Sequence, residues 1–348
     1  MSGRLTLSIF SLSHLVVDLS CFYVLMGAFS FGAGSSQLVV AGFLLYNLIA
    51  FALQVFIGIL ADRGRSAHGY YAFIGCIVVL LGVVIPVSVW VRLVICAFGN
   101  ALFHIGGGID SLVFARGSYA RSGVFISFGA LGVVLGTLVG RDELLPFGAV
   151  ALLLLACAAL IFVFCRQAKV PYRADFDLPA AKISLPGLVI CLCAISIIIR
   201  AAVGAYTPVF ERSTTLLFVL PALSVFAGKF AGGFLADRWG ARIVVTISLL
   251  LSAPLLAFGN TQVVLCCLGL FLFNVTTAVT LCLIASRLPS NPGFSFGLTT
   301  LALFIGSSLS FFWLVPTGAR PALTVAMTVI AAVCLFLVTP TRASQKGP

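Results

Sequence analysis

The chain is 348 residues long, 61% hydrophobic and 8% charged, with a mean hydropathy of +1.23. Soluble proteins carry roughly a quarter charged residues, so this composition excludes a soluble globular domain and makes lipid the solvent for most of the chain. The net charge of +11 does not indicate nucleic acid, because the basic residues fall in short turns between apolar runs and form no stripe interleaved with aromatics.

Hydropathy windows of about 19 to 20 residues predict twelve spans, near 8–31, 38–60, 70–90, 92–114, 122–140, 146–165, 185–206, 215–236, 242–258, 262–287, 294–314 and 319–339. The first begins after Arg4 and is too long for the apolar core of a cleaved leader, so it is expected to remain as a span. It carries His14 and Asp18, four apart and therefore on one helix face together with Ser11. The second span ends in Gly58-Ile59-Leu60-Ala61-Asp62-Arg63. The fourth repeats the i, i+4 polar spacing with Asn100 and His104, continuing to Gly108 and Ser111. Asp110 points off that seam, where either proton carriage or a structural ion pair is open to it. Gly106, Gly107 and Gly108 suit either a bend or close packing, and the fifth span carries Gly129, Gly132, Gly136 and Gly140.

A polar stretch from Arg166 to Ser184 interrupts the apolar runs and splits the spans six and six, giving an N-terminal half over 1–165, a linker over 166–184 and a C-terminal half over 185–348. In the seventh span Arg200 lies in line with Cys193, Ser196, Gly204 and Thr207. The eighth carries Lys229 and then repeats the earlier turn as Gly233-Phe234-Leu235-Ala236-Asp237-Arg238; from Gly58 to Gly233 the offset is 175 residues, about half the chain. The tenth span has Asn274 and Thr277. The eleven cysteines are scattered through apolar runs without zinc or redox spacing and read as small packing residues that form no disulfides.

Basic residues orient the chain. Fourteen lie on one side of the predicted spans and four on the other (Arg92, Arg141, Arg212 and Arg320), so both termini and the linker are expected in the cytoplasm. A parallel repeat of two six-helix halves is a known transporter plan.

The segment Gly233-x-Leu235-Ala236-Asp237-Arg238-x-Gly240-x-Arg242 resembles the cytoplasmic turn signature of the major facilitator superfamily, and the copy from Gly58 to Arg65 resembles it with one residue missing before Gly64. The resemblance covers the whole chain and implies an all-α integral membrane protein of twelve transmembrane helices in two parallel six-helix repeats. It also implies that helices 1, 4, 7 and 10, the four that carry the polar seams, line the central path. By the same resemblance Gly58, Asp62, Arg63, Gly233, Asp237 and Arg238 form a gating latch, in which glycine allows close approach and aspartate caps a neighbouring helix. A weaker similarity, carried by Ser13-His14, Asp18 and Ala101-Leu102-Phe103-His104, is to fosmidomycin-resistance-type exporters.

These readings lead to a secondary transporter that moves a small solute, an organic anion or a drug-like compound included, by alternating access. Proton coupling falls to Asp18, His14, His104 and Asp110, and substrate contact to Arg200, Asn100, Asn274 and Lys229. Arg200 can serve instead as counter-ion to Asp18. Export by proton antiport is favoured over an uptake symporter or a uniporter; a channel or a non-transporting receptor is the alternative from another class. No catalytic constellation, metal spacing or cofactor motif is present, and without a phosphate-binding loop ATP is not the direct energy source. The expected setting is a prokaryotic inner (plasma) membrane, crossed many times by a monomer whose partners are the small solute, protons and lipid, and not nucleic acid.

Overall fold

The computed structural model describes residues 3–65, 68–142, 144–165, 172–176, 181–206, 215–259, 262–312 and 315–341. All regular structure among them is helical. In hydrocarbon every backbone N–H and C=O needs a partner within its own segment, which leaves the helix as the solution for runs this apolar.

Among the described residues eleven helices are long and apolar enough to cross a membrane: α1 (Gly3–Gly32), α2 (Ser36–Gly64), α4 (Val89–Ala115), α5 (Tyr119–Arg141), α6 (Phe147–Phe164), α7 (Pro186–Tyr206), α8 (Thr215–Trp239), α9 (Ala241–Phe258), α10 (Val263–Arg287), α11 (Pro292–Phe312) and α12 (Thr317–Val338). The third helix, α3 (His68–Val84), is equally apolar but has 17 residues. The chain is thus a multi-pass membrane protein. Its large apolar side chains lie outside as well as inside; Val264 is 78% exposed and Phe312 76%, which only a lipid solvent tolerates on this scale.

The helices are not uniform. α1 and α2 each contain a π-helical turn, at Leu25–Phe29 and Leu48–Ala52. α10 is interrupted at Val275 and Thr276. α4 runs unbroken through its three glycines, and Gly106 packs against His68 and Ala72 of α3, so close packing accounts for it.

By its internal contacts the chain forms two compact units. One comprises Met1–Phe114, Phe128–Arg173 and Ser290–Leu301, the other Ala115–Ser127, Ala174–Pro289 and Ala302–Pro348. In the first unit α3 and α1 both pack on α6; in the second, α9 and α7 both pack on α12. Within the first unit the glycine face of α5 lies on α1: Gly132 meets the Leu15 carbonyl, Gly136 that of Leu19 and Gly140 that of Tyr23, with no room for a Cβ.

The turns after α2 and α8 differ in their left-handed residue. The second motif turns at Gly240, with φ of 92°, a region that glycine enters freely. In the first motif the residue with left-handed φ is Arg65, at 45°. Position 65 plus the 175-residue offset is position 240, so at the left-handed position that ends each helix an arginine stands where the second motif has its glycine.

Candidate functional site

Three buried polar groupings contain most of the residues singled out by the sequence. The first lies between α1 and α4. His14 and Asp18 share one face of α1, and Asn100 and His104 share one face of α4; none of the four is more than 7% exposed. Nε2 of His14 lies 2.8 Å from Nε2 of His104. The Asp18 carboxylate lies 3.3 Å from His14 Nε2 and 3.8 Å from His104 Nε2, and Asn100 Nδ2 donates to Asp18 Oδ1 at 2.7 Å. Gly129 of α5 closes the cluster: a Cβ there would meet His14 Nε2 and stand 2.7 Å from Asp18 Oδ2.

The bonding determines the neutral tautomers. His104 Nδ1 lies 2.9 Å from the Asn100 carbonyl, which only accepts, so Nδ1 carries the proton and Nε2 offers its lone pair. His14 Nε2 must then donate, toward His104 or Asp18. With both rings neutral the cluster carries one negative charge. Among the described residues the ion-pair partners of Asp18 are these two histidines, with no lysine or arginine.

The second grouping is centred on Asp62. Its carboxylate accepts from the backbone N–H of Gly293 at 2.9 Å and of Phe294 at 2.7 Å, and so caps the N-terminus of α11. Tyr172 donates its phenol to the same carboxylate at 2.7 Å. The Tyr172 ring also lies against His68, centroids 5.4 Å apart, and His68 forms an ion pair with Asp110. Asp110 is therefore engaged by an imidazole of α3 and is separate from the first cluster. Burial, with the bond to Asp62 adding to it, pushes the Tyr172 phenol well above the usual tyrosine range, so it remains a neutral donor. Sequence reasoning missed His68 and Tyr172. A histidine at the mouth of an apolar run was a usable signal, whereas nothing in the linker marks Tyr172.

Asp237 repeats the cap. It accepts from Ser118 Oγ at 2.7 Å and from the N–H of Tyr119 and Ala120, both at 3.0 Å, at the start of α5. The glycines explain the approach: a Cβ at Gly58 would strike the Gly293 carbonyl, and one at Gly233 would stand 2.6 Å from the Ala120 Cα. Arg63 and Arg238 are exposed beside them. Arg242 donates Nε to the Thr339 carbonyl just beyond α12, at 2.7 Å.

The third grouping lies between α7 and α10. Arg200, 7% exposed, donates to Thr276 Oγ1 at the interruption of α10 and, at 3.3 Å, to Thr280 Oγ1. Its Nε has no hydrogen-bond partner among the described residues. Within its own unit its donors go to threonines. A guanidinium stays charged at physiological pH, so this grouping presents a buried positive charge with an unused donor. Asn274 turns its amide back to the Leu270 carbonyl at 2.9 Å, and Lys229 is half-buried on α8. Thr276 and Thr280 were not singled out by the sequence; they stand four apart on α10, the spacing that exposed the other seams.

No family model and no characterised protein sequence matches the chain. Solved structures do. The E. coli fucose:proton symporter FucP superposes with a TM-score of 0.69 over 97% of this chain and 98% of its own, at 14% identity. The human organic anion transporter MFSD10 superposes with a TM-score of 0.67 over 97% of this chain and 100% of its own, at 15% identity. At these identities the likenesses show the fold, which the chain shares with both structures over nearly its whole length.

Proposed function

We propose that this chain is a secondary active transporter that carries a small solute across a prokaryotic inner (plasma) membrane by alternating access. The two moving bodies are the six-helix halves 1–165 and 185–348, and equivalent pairings of α3, α1 and α6 with α9, α7 and α12 support that repeat. The observation that carries the proposal is where the buried polar groups lie. In a chain this apolar, ionisable side chains are costly and are retained for function; beside the Asp62 and His68 grouping on α2 and α3, they lie on α1 and α4 in one unit and on α7 in the other, with α10 supplying the hydroxyls.

The solute we assign is an organic anion. Arg200 offers a positive charge and an unused donor, and a similarly folded protein is an organic anion transporter. The coupling ion is the proton, taken up by the cluster of Asp18, His14 and His104. The direction is export by antiport, which follows the similarity of that cluster to fosmidomycin-resistance-type exporters. Symport is the second reading, favoured by the fucose:proton symporter among the structural neighbours. Asp62 with Arg63 and Asp237 with Arg238 form the cytoplasmic latch, so both termini and the linker face the cytoplasm.

Purified chain in proteoliposomes, assayed against a panel of organic anions, neutral metabolites and drug-like cations with and without an imposed pH gradient, tests this. Gradient-accelerated flux of an anion is the expected result. Flux of no compound, or flux indifferent to the gradient, overturns it. A cysteine placed at position 175 should be labelled only from the inside of intact cells.

A further inference from the structure

We infer that His14, Asp18 and His104 form a binding site for one divalent first-row metal ion of the class of Zn2+, Co2+ and Ni2+. The argument starts from distances. One donor atom from each residue falls within 4.8 Å of the others: His14 Nε2 lies 2.8 Å from His104 Nε2 and 3.3 Å from Asp18 Oδ2, and His104 Nε2 lies 3.8 Å from the other carboxylate oxygen, Oδ1. A tetrahedral ion with bonds of about 2.0 to 2.1 Å needs donors about 3.3 Å apart. The three contacts straddle that edge length, so shifts of about half an ångström, with a turn of the Asp18 carboxylate that presents one oxygen to both rings, complete three of four positions. The fourth is left for water or an anion.

The surrounding groups prepare the ligands. A metal-binding imidazole ordinarily donates its other N–H to a carbonyl or carboxylate, which holds the ring and turns the lone pair toward the metal. His104 does this through Nδ1 and the Asn100 carbonyl at 2.9 Å. The side chain of the same asparagine holds Asp18 Oδ1 at 2.7 Å. One residue of α4 thus orients two ligands, one by its main chain and one by its side chain. Asn100 Oδ1 is itself buried with no hydrogen bond among the described residues, as are Ser11 Oγ and Ser13 Oγ on α1.

Charge and donor type select the ion. Two neutral imidazoles and one carboxylate carry one negative charge in an apolar interior, which favours a bound cation. Two nitrogens and one oxygen suit zinc, cobalt and nickel, whereas magnesium and calcium require six or more oxygens. When the metal binds, the proton on His14 Nε2 shifts to Nδ1, so that the ring ligates through Nε2 as a neutral imidazole. The inference rests on the geometry of the cluster and holds whether or not the chain transports protons.

The test uses the full-length chain in detergent, purified without a histidine tag and stripped with chelator. Co2+ is titrated and followed by visible absorption, then displaced with Zn2+. We expect one ion per chain, an intense tetrahedral-type cobalt spectrum and its loss on adding Zn2+. His104→Gln and Asp18→Asn should each weaken Co2+ by more than about tenfold, and Asn100→Ala by about tenfold. Gly148→Ala, where the added Cβ meets nothing within 4 Å, should bind as the parent does. X-ray absorption of the Zn2+-loaded parent should show two imidazole ligands, a readout that does not depend on any variant folding. Absence of saturable binding at one per chain, undiminished binding in all three site variants, or a zinc spectrum without imidazole overturns the inference.

Discussion

His14 and His104 are ninety residues apart in sequence and stand 2.8 Å apart, Nε2 to Nε2. The Asn100 carbonyl assigns the proton of His104 to Nδ1, so the contact between the rings is a directed bond from His14 to His104 whenever both are neutral. Adding a proton to His104 turns acceptor into donor and forces the pair apart, with Asp18 beside both rings to stabilise the new charge. The hydrogen bonding of the cluster thus depends on one proton, the property that the proposed coupling role uses.

Asp18→Asn keeps the shape of the side chain and most of its hydrogen bonding but removes the charge that a proton neutralises. We expect gradient-driven flux to fall to background while exchange of labelled for unlabelled solute across the membrane persists. Proton flux accompanying solute, read with a pH-sensitive dye inside proteoliposomes, checks this; an unchanged proton flux removes Asp18 from coupling.

Arg200→Lys replaces a planar fork that reaches two threonines with a single point of charge. Solute affinity should fall about tenfold, and Arg200→Ala should lower it further. Equilibrium binding of whichever anion the flux panel identifies measures both, and equal affinity in parent and alanine variant excludes Arg200 from the binding site.

The first turn motif departs from the signature that the second resembles and on sequence should matter less than the second. The structure gives the two aspartates equal bonding: Asp62 accepts from two backbone N–H groups and Tyr172, Asp237 from two backbone N–H groups and Ser118. Loss of a helix cap costs about 1 kcal/mol. Asp62→Ala and Asp237→Ala should lower thermal stability by similar amounts and slow transport to a similar degree. A clear excess for Asp237 restores the sequence expectation.

Arg65 holds a left-handed conformation that its counterpart Gly240 adopts without strain. A non-glycine residue there costs about 1 kcal/mol or more. Arg65 is exposed, so Arg65→Gly relieves the strain and removes little packing. We expect a higher unfolding temperature in detergent; a lower one shows that the arginine side chain earns its place through a contact.

Gly129→Ala drives a methyl group toward His14 Nε2 and Asp18 Oδ2. Overpacking of this kind costs about 1 to 3 kcal/mol and here displaces the coupling cluster as well. Gradient-driven flux should be lost in a chain that still reaches the membrane, whereas Gly148→Ala should change neither expression nor flux. Full activity of the Gly129 variant contradicts the placement of α5 against α1.

What the sequence determined by itself follows from lipid as solvent. An apolar run of about twenty residues has to be a helix there, so the helices lie where hydropathy predicts them, with ends within a few residues. The i, i+4 spacing of His14 with Asp18 and of Asn100 with His104 follows from helix geometry alone. Which face of one helix meets which face of the next was not legible. The hydrocarbon tails are as apolar as a leucine-rich helix face, so hydrophobicity does not set the rotation of a helix about its axis; close packing of small residues and hydrogen bonds between helices do. Only the tertiary structure therefore joined His14 to His104, brought Gly129 over them, gave Arg200 to Thr276 and Thr280, and drew His68 and Tyr172 toward Asp110 and Asp62. The turn at Arg65 belongs with these: an arginine in a left-handed conformation is disfavoured by its own sterics, so its sequence does not announce it.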